Sequence, residues 1–309
     1  MNKKLSVLKL IIWSVVAIYL TGLLIYWTTS GNGRISMWSV IKQDSADMTV
    51  VSEHNVPLEG IKNINLQFRS ENIIIKETDE KDIKIVQLAL DKLDKDELIT
   101  VNNTSGNLEV KHGKLRPRII FFGFGFTPQN IEVYIPKNYN NDLFITSSSG
   151  SNKIYNQTLR NLTIKQTSGS TKMEEVKAQN IKVDLTSGSF KGDNIIGETL
   201  DSKQTSGSIK LNGEFNNINL RTTSGSSTLE CNKMPEKINA EMTSGSSKIY
   251  IPENDGFKLQ YNKTSGSIRS DFDLTGFDSQ NRSGNVSYKN GSSEFYIKIT
   301  SGSAKIYKK

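Results

Sequence analysis

The chain has 309 residues, a 35% hydrophobic fraction, and 39 Lys and Arg against 32 Asp and Glu. That length allows one large domain or two ordinary ones, and the mild basic surplus favours anionic partners in general. A single cysteine, Cys231, excludes an intramolecular disulfide framework and any cysteine-rich metal site, while two histidines, His54 and His112, leave little for a His-dependent triad or metal cluster.

In chain order the first element is apolar. Leu10 to Trp27 reads LIIWSVVAIYLTGLLIYW without a charge, enough to cross most of a bilayer as a helix at ~1.5 Å per residue. Trp13, Tyr19, Tyr26 and Trp27 supply aromatic residues, two of them at the outer end, and Lys3, Lys4 and Lys9 precede the run. The pattern predicts a cytoplasmic tail over 1–9, a transmembrane signal anchor over 10–27 and a linker over 28–57. The chain is then a single-pass cell-membrane protein with an extracellular C-terminal domain. The alternative is a cleaved signal peptide, but the stretch exceeds the usual ~7–15 residue core and only TTSG at 28–31 offers a weak cleavage site. No cysteine follows the run in lipoprotein fashion.

Beyond it, one short phrase recurs. Aligning Gly150, Gly169, Gly188, Gly207, Gly225, Gly245, Gly266, Gly284 and Gly302 gives spacings of 19, 19, 19, 18, 20, 21, 18 and 18. Seven residues before each glycine stand Leu143, Leu162, Ile181, Leu200, Ile218, Ile238, Leu259, Phe277 and Phe295, all apolar. The columns five before and four after are mostly apolar too. Alternation on either side has the period of two of a half-buried strand, but the interval between the two sets is odd. An inward residue cannot stay inward across TSGS on one straight strand, so the chain bends there, as glycine permits. Such a short unit cannot bury its own apolar face, whereas stacked units can.

The expected fold is therefore all-β: a single-stranded β-solenoid of 18–21-residue coils over 143–309, right-handed by the crossover rule and preceded by the one transmembrane helix. In the stack, the threonines two before the glycine are expected to form hydroxyl ladders. Over 58–142 the pattern persists with insertions, IKNINLQFRSENIIIKE placing Glu71 at the glycine position and LITVNNTSGNLEV placing Gly106 there. Roughly eleven coils stacked at ~4.8 Å make a rod of about 50 Å. Lys305, Lys308 and Lys309 are expected to protect its last edge from end-to-end pairing.

IEVYIPKNYNNDLFITSSSGS, 131–151, an alternating strand ending in Ile-Pro-Lys and leading to a glycine corner, is similar to the hallmark of the bacterial putative-adhesin family of envelope β-solenoids. That family includes LiaG-like membrane-anchored proteins of Gram-positive bacteria. The resemblance covers about 58–309 and implies a β-helical fold, an association with envelope-stress systems and no known catalytic site.

Two surfaces carry candidate chemistry. Three residues after each glycine the column reads Lys153, Lys172, Lys191, Lys210, Thr228, Lys248, Arg269, Ser287 and Lys305. These cations are expected on one outer face, either as a solvated surface or as a track for an anionic cell-wall polymer or lipid headgroups. In the insertion, KHGKLRPRIIFFGFGF, Lys111, Lys114, Arg116 and Arg118 precede Phe121, Phe122, Phe124 and Phe126. Either this hairpin caps the solenoid, or it contacts the membrane or a partner. Asp184, Asp201, Glu241 and Asp278 are scattered among columns and no calcium-binding repeat occurs, so the expectation is a non-enzymatic protein without cofactor or nucleic-acid partner. It binds envelope components or a membrane-protein partner. The alternative is an accessory subunit regulating a membrane sensor through its transmembrane helix.

Overall fold

The computed structural model describes residues 48–120 and 123–309, together with Trp13 and Tyr19. The chain divides into two compact units, Met1–Asp47 and Met48–Lys309. The segment 10–27, read above as an anchor, lies outside the described residues except for Trp13 and Tyr19, which are helical and exposed. Among the described residues no helix is long and apolar enough to cross a membrane.

The larger unit begins with β1 (Thr49–Pro57), β2 (Asn63–Phe68), β3 (Asn72–Thr78), β4 (Asp82–Ala89), β5 (Thr100–Thr104) and β6 (Asn107–Lys111). A hairpin of β7 (Arg118–Ile120) and β8 (Gly123–Gly125) precedes β9 (Gln129–Pro136) and β10 (Asp142–Ser147). Four long strands follow, β11 (Ser151–Gln166), β12 (Ser170–Leu185), β13 (Ser189–Gln204) and β14 (Ser208–Thr222). The remainder are β15 (Ser226–Cys231), β16 (Lys237–Met242), β17 (Ser246–Ile251), β18 (Gly256–Lys263), β19 (Ser267–Ser270), β20 (Ser283–Lys289), β21 (Ser293–Ile299) and β22 (Ser303–Lys308). All but β7 and β8 belong to one 20-stranded sheet wound into a solenoid. Because Thr49–Pro57 is a strand paired antiparallel with β4, the 28–57 linker predicted above ends earlier than expected.

The repeat columns stack in register. Leu143, Leu162, Ile181, Leu200, Ile218 and Ile238 are consecutive neighbours on a first face, and all are buried. After the TSGS corner, Ile154, Met173, Gly192, Leu211, Leu229 and Ile249 line a second face from inside. The long strands carry a further bend. Asn156, Glu175 and Asn194 have φ of 53, 56 and 54°, the left-handed region where asparagine is tolerated better than most residues. They open a short third face around Leu159, Ala178 and Phe215, where the sequence pattern showed only a variable connection.

At the corners the recurring need for glycine is close approach. A Cβ on Gly207 would stand 2.0 Å from the carbonyl oxygen of Gly188, and one on Gly302 would stand 2.1 Å from that of Gly245. Gly207 adds a φ of +97°. The coils are joined there by backbone bonds, Ser187 N–H donating to Thr167 C=O at 2.7 Å and Ser189 N–H to Gly169 C=O at 3.0 Å. The hydroxyl ladders expected for Thr167, Thr186, Thr205, Thr223, Thr243, Thr264 and Thr300 do not form among the described residues. All seven are exposed, and water satisfies their hydroxyls without a neighbour. The polar stacking lies inside instead, where Thr171 donates to Gln166 at 3.0 Å and Gln166 to the Gly150 carbonyl at 3.1 Å.

Glu71 takes the glycine position as expected, because β2 and β3 stack on β10 and β11 in the repeat register. Its buried carboxylate accepts from the N–H groups of Arg69 and Ser70 at 2.8 and 2.9 Å, closing the corner with a side chain. Two other assignments are corrected. Gly106 follows Ser105 in a two-residue hairpin turn, φ 84 and 53°, that joins β5 and β6 antiparallel, as paired positive φ values favour. Gly284 lies within β20, antiparallel to β18 and opposite Tyr261. There a Cβ would stand 2.8 Å from the Tyr261 ring, so glycine makes room for an aromatic and is not a corner.

The order of the last coils is also corrected. β21 pairs with β16 on one side and β18 on the other, and β22 with β17 and β19. The C-terminal coil thus sits between two earlier ones, and Lys305 and Lys308 lie on an interior strand, not on an exposed last edge. On the first face the stack ends in antiparallel strands, β5 at one end and β20 at the other. These blunt the open edges that a parallel stack would present.

Candidate functional site

Because the second-face strands stack in parallel register, the residue three after each glycine points outward at every level. Lys153, Lys172, Lys191, Lys210, Thr228, Lys248 and Lys305 are successive partners. Arg269 follows Lys305, so the spatial order is Lys248, Lys305, Arg269. Ser287 leaves the column because β20 belongs to the first face.

Two residues further along each strand runs a second outer column: Tyr155, Glu174, Asp193, Asn212, Glu230, Tyr250 and Tyr307. It divides the ladder. Lys172 forms an ion pair with Glu174, which raises the lysine's pKa, and Lys210 lies 3.4 Å from Glu230. Such exposed pairs contribute little to stability, but they neutralise the middle of the ladder. At the far end the neighbours are aromatic. Tyr250 and Tyr307 stack with centroids 4.6 Å apart, and Lys305 lies 5.6 Å from the Tyr307 centroid. Among the described residues Lys153, Lys191, Lys248 and Arg269 have no ion-pair partner, and all four are exposed.

The insertion is arranged differently. Lys111 pairs with Glu109 at 2.7 Å, Lys114 with Asp96 at 3.4 Å, and Arg116 bridges Asp94 and Asp96 at 2.8 and 2.6 Å. The Arg116 guanidinium holds the Asp96 carboxyl below the usual carboxylate range. Three of the four candidate cations therefore already face carboxylates; for Lys114 and Arg116 the pairing is invisible in the local sequence because Asp94 and Asp96 lie in the loop before β5. Arg118 and Phe124 sit in β7 and β8, which pair with each other. Phe121 and Phe122 lie outside the described residues, and Phe126 is exposed.

The acids weighed as catalytic candidates do not converge. Asp184 is registered between Lys165 and Lys203, Asp201 lies 3.4 Å from Arg221, and Glu241 is registered beside Arg221. Asp278 is in the loop before β20. Cys231 is buried, and desolvation pushes its thiol up to about 12, a form poor in thiolate. Among the described residues no His, Cys, Asp and Glu cluster is arranged to hold a metal.

These features define a β-solenoid with polar outer faces and a basic track. Residues 61–307 match the Toastrack DUF4097 family, and the chain belongs to that family. The resemblance to adhesin-type β-solenoids thereby holds at the level of family and fold. One similar solved structure is a "putative lipid binding protein" from Parabacteroides distasonis, 15% identical over 86% of this chain and 98% of that one, with a TM-score of 0.51. Another is a "putative adhesin" from Parabacteroides merdae, 12% identical over 85% and 97%, with a TM-score of 0.50. At these identities the likeness is one of fold. No curated protein matches the chain.

Proposed function

We propose that the chain is a non-enzymatic binding scaffold of the cell envelope, anchored through residues 10–27 with the solenoid outside the cell, and that its basic ladder receives anionic polymers or lipid headgroups. The observation that carries this reading is the Lys248–Lys305–Arg269 end of the ladder. Three exposed or half-exposed cations are in register on adjacent strands, without an ion-pair partner among the described residues. Like charges so close repel one another, and a polyanion relieves that repulsion. The descriptions of the two structural neighbours, lipid binding and adhesin, are in keeping with binding rather than catalysis.

The test uses the full-length chain in neutral detergent micelles, titrated with poly(glycerol phosphate) and with phosphatidylglycerol vesicles at rising salt. Binding is expected to fall steeply with ionic strength, since exposed charges are screened within ~8 Å at physiological salt. Changing Lys248, Lys305 and Arg269 to glutamine is expected to weaken it by at least ~10-fold at low salt, and changing Lys172 and Lys210 by under ~3-fold, because only the second pair is already neutralised. A chain starting at Met48 is expected in the soluble fraction of cells, the full chain in the membrane fraction. Salt-insensitive binding, or equal effects of the two sets, overturns the ladder assignment.

A further inference from the structure

The outer side of the first face is polar apart from Phe144 and Tyr296, but its polar groups are used in two ways. Toward the N-terminal end they satisfy one another. Asn161 donates to Asp142 at 2.8 Å, Asn180 donates to Asn161 at 2.8 Å, and Arg160 donates to the same Asp142 oxygen at 2.8 Å. Toward the other end, β16, β21, β18 and β20 bring Asn239, Tyr296, Gln260 and Asn285 into one row across the sheet. Among the described residues none of these four side chains has a hydrogen-bond, ionic or ring partner. Asn239 Oδ1 is buried without one, a state that folded proteins seldom leave unexplained.

This row lines a groove of about 720 Å³. Beside it runs a charged row, Lys237, Glu294 and Lys258, in which the acid is registered between the two bases. The groove therefore alternates in charge, unlike the basic ladder on the second face.

We propose that the groove is a binding site for a neutral, extended polysaccharide lying across the strands. A side-chain amide both donates and accepts, as a sugar hydroxyl does, so an amide row matches a hydroxylated chain better than a phosphate or carboxylate polymer. Tyr296 is half-buried and free of ring contacts, offering an apolar surface to the C–H face of a pyranose and a hydroxyl to its rim. The spacing fits as well. The four side chains in the groove span three strand intervals, about 14 Å at ~4.8 Å each, and Asn219 of β14 extends the row beyond the groove to about 19 Å, roughly the length of a tetrasaccharide. The site depends on the intercalated coil, because β21 brings Tyr296 and Glu294 between β16 and β18. The inference stands independently of the basic ladder, which lies on another face.

The experiment titrates the full-length chain with cellotetraose, chitotetraose and maltotetraose by calorimetry, at low and high salt. At least one is expected to bind saturably, with an affinity that salt leaves unchanged. Tyr296→Ala is expected to weaken binding by ~10-fold or more, the loss of an aromatic platform and its contacts. Tyr296→Phe is expected to retain most of it, and Gln260→Ala and Asn285→Ala to show intermediate losses. Each variant's melting temperature is measured alongside; these side chains point outward, and an unchanged melting temperature with lost binding supports the site. The Lys248, Lys305 and Arg269 variant is expected to bind the tetrasaccharide normally. No binding by any of the three sugars at millimolar concentration overturns the proposal, as does binding that Tyr296→Ala leaves intact in a folded protein.

Discussion

Between Ser170 and Thr222 each coil hydrogen-bonds to the coils before and after it in the chain, whereas between Lys237 and Lys308 the coils stack out of chain order. The first region is a one-dimensional stack whose contacts lie one coil apart in sequence. The second closes only when the C-terminal coil enters between two already laid down. Its core holds an aromatic cluster, where the first buries only Phe190 and Phe215 among aliphatic side chains: Phe257 stacks on Phe295 at 4.7 Å and meets Phe272 edge-on at 5.4 Å. The difference teaches how this solenoid ends. A sequential stack leaves a growing edge, whereas an intercalated coil followed outward by the antiparallel β20 gives the first face a stop. The same rearrangement places unpaired cations on one face and unpartnered amides on another.

The comparison breaks most severely if the tenant of the slot is removed. Ending the chain at Ser292 takes Phe295, Ile297, Ile299, Ala304 and Ile306 out of the core. At ~1.5–3 kcal/mol for each of the four large apolar side chains, the loss is on the order of 6–12 kcal/mol. Hydrogen exchange followed by mass spectrometry is expected to show 237–292 losing protection while 151–222 keeps most of its own. Uniform loss along the chain instead shows that the two regions do not differ in cooperativity.

Glycine substitutions sharpen the comparison on a smaller scale, since Gly207 and Gly284 occupy the same column in sequence. Gly207→Val is expected to destabilise by more than ~2 kcal/mol, because it adds a Cβ against the Gly188 carbonyl at a positive φ. Gly284→Ala displaces only the edge of the Tyr261 ring and is expected to cost about 1 kcal/mol. Ser208→Ala, at an exposed position, is expected to stay within ~0.5 kcal/mol. Denaturant unfolding of the three variants ranks them, and equal effects at the two glycines deny them different roles.

The smallest effect concerns pH. Glu253 accepts from Lys308, from Tyr288 at 2.9 Å and from Lys289 at 3.1 Å, tying the intercalated strand to the loop after β17. Lys308 foremost, with Tyr288 and Lys289, holds its carboxyl down to about 2 from an ordinary 4.5. A carboxylate depressed on folding contributes stability above its unfolded pKa and loses it as pH falls through the folded one. The melting temperature is therefore expected to decline between about pH 4.5 and 2, and Glu253→Gln to flatten part of that decline. An identical pH profile for variant and parent removes Glu253 as a clasp.

Much of this architecture was legible in the residues alone. The parity break across TSGS required a bend, the period of two assigned inner and outer sides, and the column three after the glycine predicted outward cations. The column alone puts Glu71 at a corner, and its carboxylate closes that corner. What the columns left undetermined was which coil lies beside which. Every repeat offers the same backbone ladder and a similar apolar column, so a strand such as Phe295–Ile299 can stack on Ala240 as readily as on its predecessor in the chain. Tertiary packing decided that order by burying the aromatic cluster of the last coils. It likewise turned Gly106 into a hairpin and Gly284 into space for Tyr261, and it paired Arg116 with acids some twenty residues away. The repeat determines the face on which each side chain sits, because that follows from strand geometry. Its neighbours across the sheet follow from how the ends close.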